Sequence, residues 1–145
     1  MRLSTRTRYG VRAMLEIALH NPTQPVDLNE ISKKQGISKK YLHTLLTLLK
    51  NNSLVVSIRG NAGGYLLARK PEDISLYEIF RILEGTPGIV DCVENDKACR
   101  RFAVCTTRKL WRRLSASIQK ELECTSLADL VADATGKKES ITYNI

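Results

Sequence analysis

The apolar positions of this 145-residue chain change period as the chain is followed from its start. In "STRTRYGVRAMLEIALH", Val11, Met14, Leu15 and Ala18 recur at i, i+3, i+4 and i+7, which is one face of a helix. Ser4 or Thr5 is placed to cap it. "NPTQP" stops this helix, because its two prolines cannot continue it. "DLNEISKKQ" predicts a second helix, with Asp27 and Glu30 spaced as a capping box and Leu28 and Ile31 facing inward. Gly36 suits a left-handed helix end, and Ser38 caps a third helix, "KKYLHTLLTLLK". Leu42, Leu45, Leu46 and Leu49 form its buried stripe, while Lys39, Lys40, His43 and Thr44 lie together on the opposite face. The composition then turns to that of strands. "LVVSI" and "YLLA" flank "RGNAGG", where three glycines in six residues make an open hairpin tip.

Pro71 closes the hairpin, and "ISLYEIFRILEG" is a short amphipathic helix, capped by Ser75 and ended by Gly85. The twenty residues "TPGIVDCVENDKACRRFAVC" show no hydrophobic period and predict an irregular loop, long enough to imply a function. "TTRKLWRRLSASIQKELE" is a long helix with Leu110, Trp111, Leu114, Ile118 and Leu122 on its apolar side. So small a chain leaves this helix little to pack against, and a helix of a second subunit is its natural cover. "TSLADLVADA" predicts a final short helix capped by Thr125 or Ser126, before a polar tail.

Two helices joined by a tight glycine turn form a helix-turn-helix, and a hairpin directly after it makes a winged helix. The expected fold class is therefore mainly α with a small β-hairpin wing: a winged helix-turn-helix plus a long dimerisation helix. The expected organisation is a DNA-binding unit at 1–84, a cysteine loop at 85–106, the dimerisation and terminal helices at 107–135, and a flexible tail at 136–145. In this pattern the start of the second helix enters the major groove, which assigns Lys39, Lys40, Tyr41, His43 and Thr44 to base edges and nearby phosphates. Arg59, with Gly60, Gly63 and Gly64, would meet the minor groove or its phosphates.

Charge sharpens this picture. Of the net charge of +8, residues 1–70 hold 12 Lys/Arg against 3 Asp/Glu, a balance of +9, and residues 71–145 hold 11 against 12, a balance of −1. A basic half joined to a near-neutral half suggests a polyanion-binding module with a control or assembly module. With two histidines, no Ser/His/Asp pattern and no phosphate loop, nothing suggests an enzyme. The first residues lack the apolar run of a signal peptide, and no stretch approaches the ~20 apolar residues of a membrane span. These features place the protein in the cytoplasm, where thiols stay reduced and a structural disulfide is disfavoured.

Cys92, Cys99 and Cys105 fall in the unperiodic loop with spacing C-x6-C-x5-C, and Cys124 follows alone. Three thiolates on one loop suit soft iron. The gaps are longer than the C-x2-C of most zinc knuckles. The residues by themselves leave open an iron–sulfur cluster, zinc, thiol redox sensing or no site.

"MRLSTRTRYGVRAM", "ISKKQGISKKYL", "SIRGNAGGYLLAR", "DISLYEIFRILEG" and "LWRRL" together resemble the bacterial winged-helix regulators of the IscR, NsrR and CymR type over nearly the whole chain. The resemblance implies a homodimer, clasped by the helix at 108–123 and reading a pseudo-palindromic operator. It also implies that Cys92, Cys99 and Cys105 sit where cluster-binding members carry their ligands, for a [2Fe-2S] or [4Fe-4S] cluster. Members of the CymR type lack that triad. The positions that resemble a fourth ligand in this family hold Arg8, Lys33 and Arg108, which are all basic and cannot serve. Asp91, Glu94, Asp96, Cys124, His20, a small thiol or water remain as candidates. His20 is expected instead to meet the carbonyls at a helix end, and Cys124 to be buried as a small hydrophobe. The chain ends in "ESITYNI". On its residues alone this reads as a frayed polar terminus with a chance isoleucine. The Asn-Ile ending also resembles the tails by which serine acetyltransferases enter cysteine synthase, which marks Ile145 as a candidate anchor for that enzyme.

The leading expectation is a dimeric repressor that senses cluster, nitric-oxide or redox status through the cysteine loop. A second is a cluster-free, CymR-like regulator of sulfur metabolism controlled by cysteine synthase. A third is a nucleic-acid or assembly protein without sequence preference.

Overall fold

Ser4 opens the first helix. Its hydroxyl accepts from the Thr7 N–H at 3.2 Å, and α1 runs from Thr5 to Ala18. Asp27 and Ser38 cap α2 (Leu28–Gln35) and α3 (Lys39–Asn51) in the same way, and Gly36 turns the chain between them at φ 64°. The computed structural model describes residues 2–143, with side chains as far as residue 137. The capping box expected at α2 does not form. Glu30 turns instead to His20 and Lys34, at 2.8 and 2.9 Å, because the charge-assisted bond to the Lys34 ammonium together with the His20 bond outweighs one backbone N–H. A complete box does form between Ser75 and Glu78, at the start of α4 (Leu76–Leu83).

The inward stripe of α3 is the expected one, with Leu42, Leu45, Leu46 and Leu49 all fully buried. That of α1 is rotated. Thr7, Gly10, Ala13, Met14 and Ile17 are buried, whereas Val11, Leu15 and Ala18 are only half-covered. The cause is the central place of α1, which touches α2, α3 and the hairpin as well as α4 and the last helix. Gly10 permits the closest of these approaches, since a Cβ there would lie 2.1 Å from Leu83 Cδ1.

The wing is an antiparallel pair, β1 (Val55–Ile58) with β2 (Gly64–Leu67), in the register Val55–Leu67 to Ile58–Gly64. Val26 extends it by one rung, exchanging both backbone hydrogen bonds with Tyr65 at 2.9 Å. Gly64 makes that rung possible: its φ is 155°, and a Cβ would sit 2.3 Å from the Val26 carbonyl oxygen.

The loop expected to be irregular contains two short helical turns, α5 (Asp91–Glu94) and a 3-10 turn at Asp96–Ala98. Local side chains shape them. Asn95 accepts from the Lys97 N–H at 3.0 Å, and Glu94 accepts from the Gly88 N–H at 2.9 Å. No such local bond could be read from hydrophobic periodicity.

The long helix α6 spans Arg108–Cys124. It is better covered than the sequence suggested. Trp111, Ile118 and Leu122 are half-buried, and the helix lies against α4 and α5. Leu110 and Leu114, on the adjoining stripe, stay 46% and 43% exposed. Beyond it the chain pairs with the entry to α4, through Leu76 N–H to Thr125 O at 2.9 Å and Leu127 N–H to Ile74 O at 2.8 Å. Ser126 and Asp129 then cap α7 (Leu127–Tyr143) reciprocally. This helix continues past residue 135, where the sequence reading began a tail. The segment 136–143 has no proline, and one interior glycine costs only about 1 kcal/mol against alanine. Among the described residues no helix is long and apolar enough to cross a membrane.

Candidate nucleic-acid interface and cysteine loop

Lys39, Lys40, His43 and Thr44 are exposed on the side of α3 opposite its leucines. Tyr41 differs from them. It is half-buried, with its ring edge-on to Tyr9 at 6.1 Å between centroids, and it joins α3 to α1. At the wing, Arg59 and Gly60 are exposed and Gly63 and Gly64 are half-covered, with the Gly63 N–H closing the tip onto Gly60 O at 3.0 Å. None of the ion pairs among the described residues engages Lys39, Lys40 or Arg59. Three cations without an acidic partner among the described residues are available to phosphates.

A polar network behind this surface fixes the helix-turn-helix. Arg12 lies 5.3 Å over the Tyr9 ring, and its Nε donates to Gln35 Oε1 at 2.9 Å. Gln35 donates in turn to the buried Glu16 at 2.9 Å, and Lys34 bridges Glu16 and Glu30 at 3.0 and 2.9 Å. Hydrogen bonds from Lys34 and then His20 hold the Glu30 carboxyl below its ordinary value, and the same contact with Glu30, followed by Glu16, raises Lys34. His20 meets the Glu16 carbonyl with Nδ1 and Glu30 with Nε2, each at 2.8 Å. It is therefore the helix-end residue expected, committed to the α1–α2 contact. Sequence reasoning missed Arg12 and Gln35, because their roles depend on how α1 crosses α2.

Cys92, Cys99 and Cys105 are free thiols, each half-covered. The Thr107 hydroxyl, 3.3 Å from Cys105 Sγ, and then the Arg108 backbone N–H hold the Cys105 thiol below its usual range. Among the described residues no three His, Cys, Asp or Glu side chains form a group that could hold a metal ion. The donor chemistry nevertheless fits an iron–sulfur centre, since three thiols outside any disulfide on one loop are its usual ligands. Holding one requires Cys92, Cys99 and Cys105 to converge.

Of the candidates for a further ligand, Asp96 is paired with Arg108 at 2.7 Å and Glu94 holds Gly88, while Asp91 is exposed at the start of α5. Cys124 is exposed, not buried as expected. It ends α6 on the stripe of Leu110 and Leu114, which among the described residues stays partly exposed. The helix carries it about 24 Å from Arg108, at ~1.5 Å per residue, and so away from the end of α6 on which Cys92 and Asp96 are fastened. Ile145 lies outside the described residues.

Residues 3–133 match the family model Rrf2, described as an iron-dependent transcriptional regulator. The chain belongs to the Rrf2 family. It is 42% identical over 135 residues to the protein rrf2 of Nitratidesulfovibrio vulgaris, covering 93% of this chain and 90% of that one. It is 40% identical over 133 residues to the HTH-type transcriptional regulator IscR of Sodalis glossinidius, covering 92% and 80%. Among solved structures it is similar to CymR, the global cysteine regulator of B. subtilis, with TM-score 0.79, 33% identity, and 91% and 97% of the two chains covered. It is also similar to T. potens IscR, with TM-score 0.76, 36% identity, and 92% and 88% covered. The winged-helix fold and the absence of catalytic machinery in the reading above agree with this membership. As an Rrf2-family protein the chain is a DNA-binding transcription regulator and not an enzyme.

Proposed function

We propose that this Rrf2-family chain is a homodimeric, operator-binding repressor whose cysteine loop reports iron–sulfur, nitric-oxide or redox status. The observation that carries the reading is the attachment of the loop. Its three thiols lie between the winged-helix unit and the first turn of α6, and Arg108, the first residue of α6, donates to the Cys92 carbonyl at 2.9 Å. Any rearrangement that gathers the thiols therefore acts on α6.

The exposed Leu110 and Leu114 make α6 the surface for a second copy, and a shift of that helix would change the spacing of two α3 reading heads. Cys92, Cys99 and Cys105 would hold the cluster, which supplies reversible chemistry toward oxidants and nitric oxide when bound. Lys39, Lys40, His43 and Thr44 would read the major groove, with Tyr41 setting the angle of α3 through Tyr9, and Arg59 and the wing glycines would lie along the minor groove or its phosphates.

Anaerobic purification with iron and sulfide analysis, followed by operator binding before and after cluster removal, tests the reading. Brown protein whose operator affinity changes on cluster removal supports it. Colourless protein that binds its operator tightly under the same conditions overturns the cluster reading in favour of a cluster-free regulator.

A further inference from the structure

Arg108 touches the cysteine loop at three separate points. Its Nε donates to the Cys92 carbonyl at 2.9 Å, its terminal nitrogen donates to Asp96 Oδ1 at 2.7 Å, and its guanidinium lies 4.0 Å over the Phe102 ring. The side chain is only 13% exposed. We propose that Arg108 is a positioning residue, a clasp that seats the cysteine loop on the first turn of α6 and sets how accessible its thiols are. The inference rests on the loop being the sensing element, and it adds the residue that controls it.

The physical case is one of geometry. A planar guanidinium can donate along two edges and stack on an aromatic face at once, which a lysine ammonium cannot do. The other side-chain bonds between the loop and its surroundings among the described residues, Ile89 to Ser115 and Cys105 to Thr107, lie at its two ends. Between them, the three points bound by Arg108 are spread from Cys92 to Phe102. Gathering the thiols requires the loop to change shape, and the contacts of Arg108 must change with it. Because Arg108 is itself the first residue of α6, the helix receives that change directly.

The test uses the full chain, metal-free and reduced, as wild type, Arg108→Ala, Arg108→Lys and Asp96→Asn. Two quantities are measured: amide hydrogen exchange across residues 91–106, and the rate at which each thiol reacts with an aromatic disulfide, resolved by peptide mass spectrometry. Cys124 is the internal reference. Arg108→Ala is expected to speed loop exchange and labelling of Cys92 and Cys99 about tenfold, the scale of losing charge-assisted hydrogen bonds. Cys124 should not change, Arg108→Lys should not restore the wild-type rates, and Asp96→Asn should fall between. Rates within about twofold of wild type in Arg108→Ala, or a parallel rise at Cys124, overturn the clasp. If the alanine variant fails to fold, the lysine and Asp96→Asn variants decide by the same rates. The two readings fail separately. A protein that never binds a cluster but shows an Arg108-dependent loop overturns only the sensor reading, and a brown protein with an Arg108-independent loop overturns only the clasp.

Discussion

The backbone N–H of Ile89 donates to the Ser115 hydroxyl at 3.2 Å, and Ser115 is only 7% exposed at the middle of α6. This bond fixes where the chain leaves the winged-helix unit for the cysteine loop. Ser115→Ala keeps the helix but removes the acceptor. The expected loss is about 1–2 kcal/mol of stability, the cost of a partly buried donor left unpaired. Exchange at the Ile89 amide should rise more than at neighbouring core amides. Protection at Ile89 equal to wild type would mean that water replaces the hydroxyl without cost.

Arg59→Ala should weaken operator binding by about 1–3 kcal/mol at fixed salt, the range for a specific arginine contact. Lys40→Ala should behave differently if Lys40 serves a phosphate: a similar loss on every sequence, and a salt dependence shallower by about one unit of slope. Titrations of operator and scrambled duplexes at several salt concentrations separate the two. Identical wild-type and Arg59→Ala curves would remove the wing from the interface.

Glu84 ties the end of α4 to the start of α1. Its carboxylate accepts from Ser4 Oγ at 2.5 Å, from the Ser4 N–H at 3.2 Å and from the Thr7 hydroxyl. Burial pushes this carboxyl up, but the bonds from Ser4 and Thr7, with the charge of Arg6, bring it below the ordinary glutamate value. A depressed carboxylate contributes stability that is complete above its unfolded value and is lost as pH falls through the folded one. Glu84→Gln should therefore cost about 1 kcal/mol near neutrality, a figure discounted for solvent exposure, and should lose less than wild type on acidification. Chemical denaturation at neutral and acid pH measures both. Parallel pH profiles for the two proteins would show that Glu84 is not part of the acid response.

The parts of the fold legible in the sequence are those fixed by short-range chemistry. Ser4, Asp27, Ser38 and Ser75 each cap a helix because a side-chain oxygen two or three residues upstream of an amide suffices. One side of α3 is exposed, so its four leucines share the opposite side and give a clean period. α1 has neighbours on both sides, so its period points between them, and the buried stripe falls one residue away. The exposed cations of α3 and the wing were legible as a charge pattern, but the commitment of Tyr41 to Tyr9 depends on a crossing angle that no local pattern encodes. Arg108 was legible only as a side chain unfit to be a ligand. Its partners lie six to sixteen residues upstream, in a segment without period, and only the folded loop brings them to it.

Replacing Cys92, Cys99 or Cys105 with serine should abolish the visible absorption of anaerobically prepared protein, because each removes one of only three loop thiolates. Cys124→Ser should keep it, since α6 holds that thiol about 24 Å from Arg108, the residue on which Cys92 is fastened. Fold loss is controlled by the helical circular dichroism of each variant, and the half-covered positions of the loop thiols make a serine there tolerable. Retained absorption in any triad variant would take that cysteine out of the ligand set. Loss confined to Cys124→Ser would point elsewhere. Cys124 shares an exposed stripe with Leu110 and Leu114, so an iron centre that needed only Cys124 would have to form where two α6 helices meet, and its stoichiometry would then be one per dimer instead of one per chain.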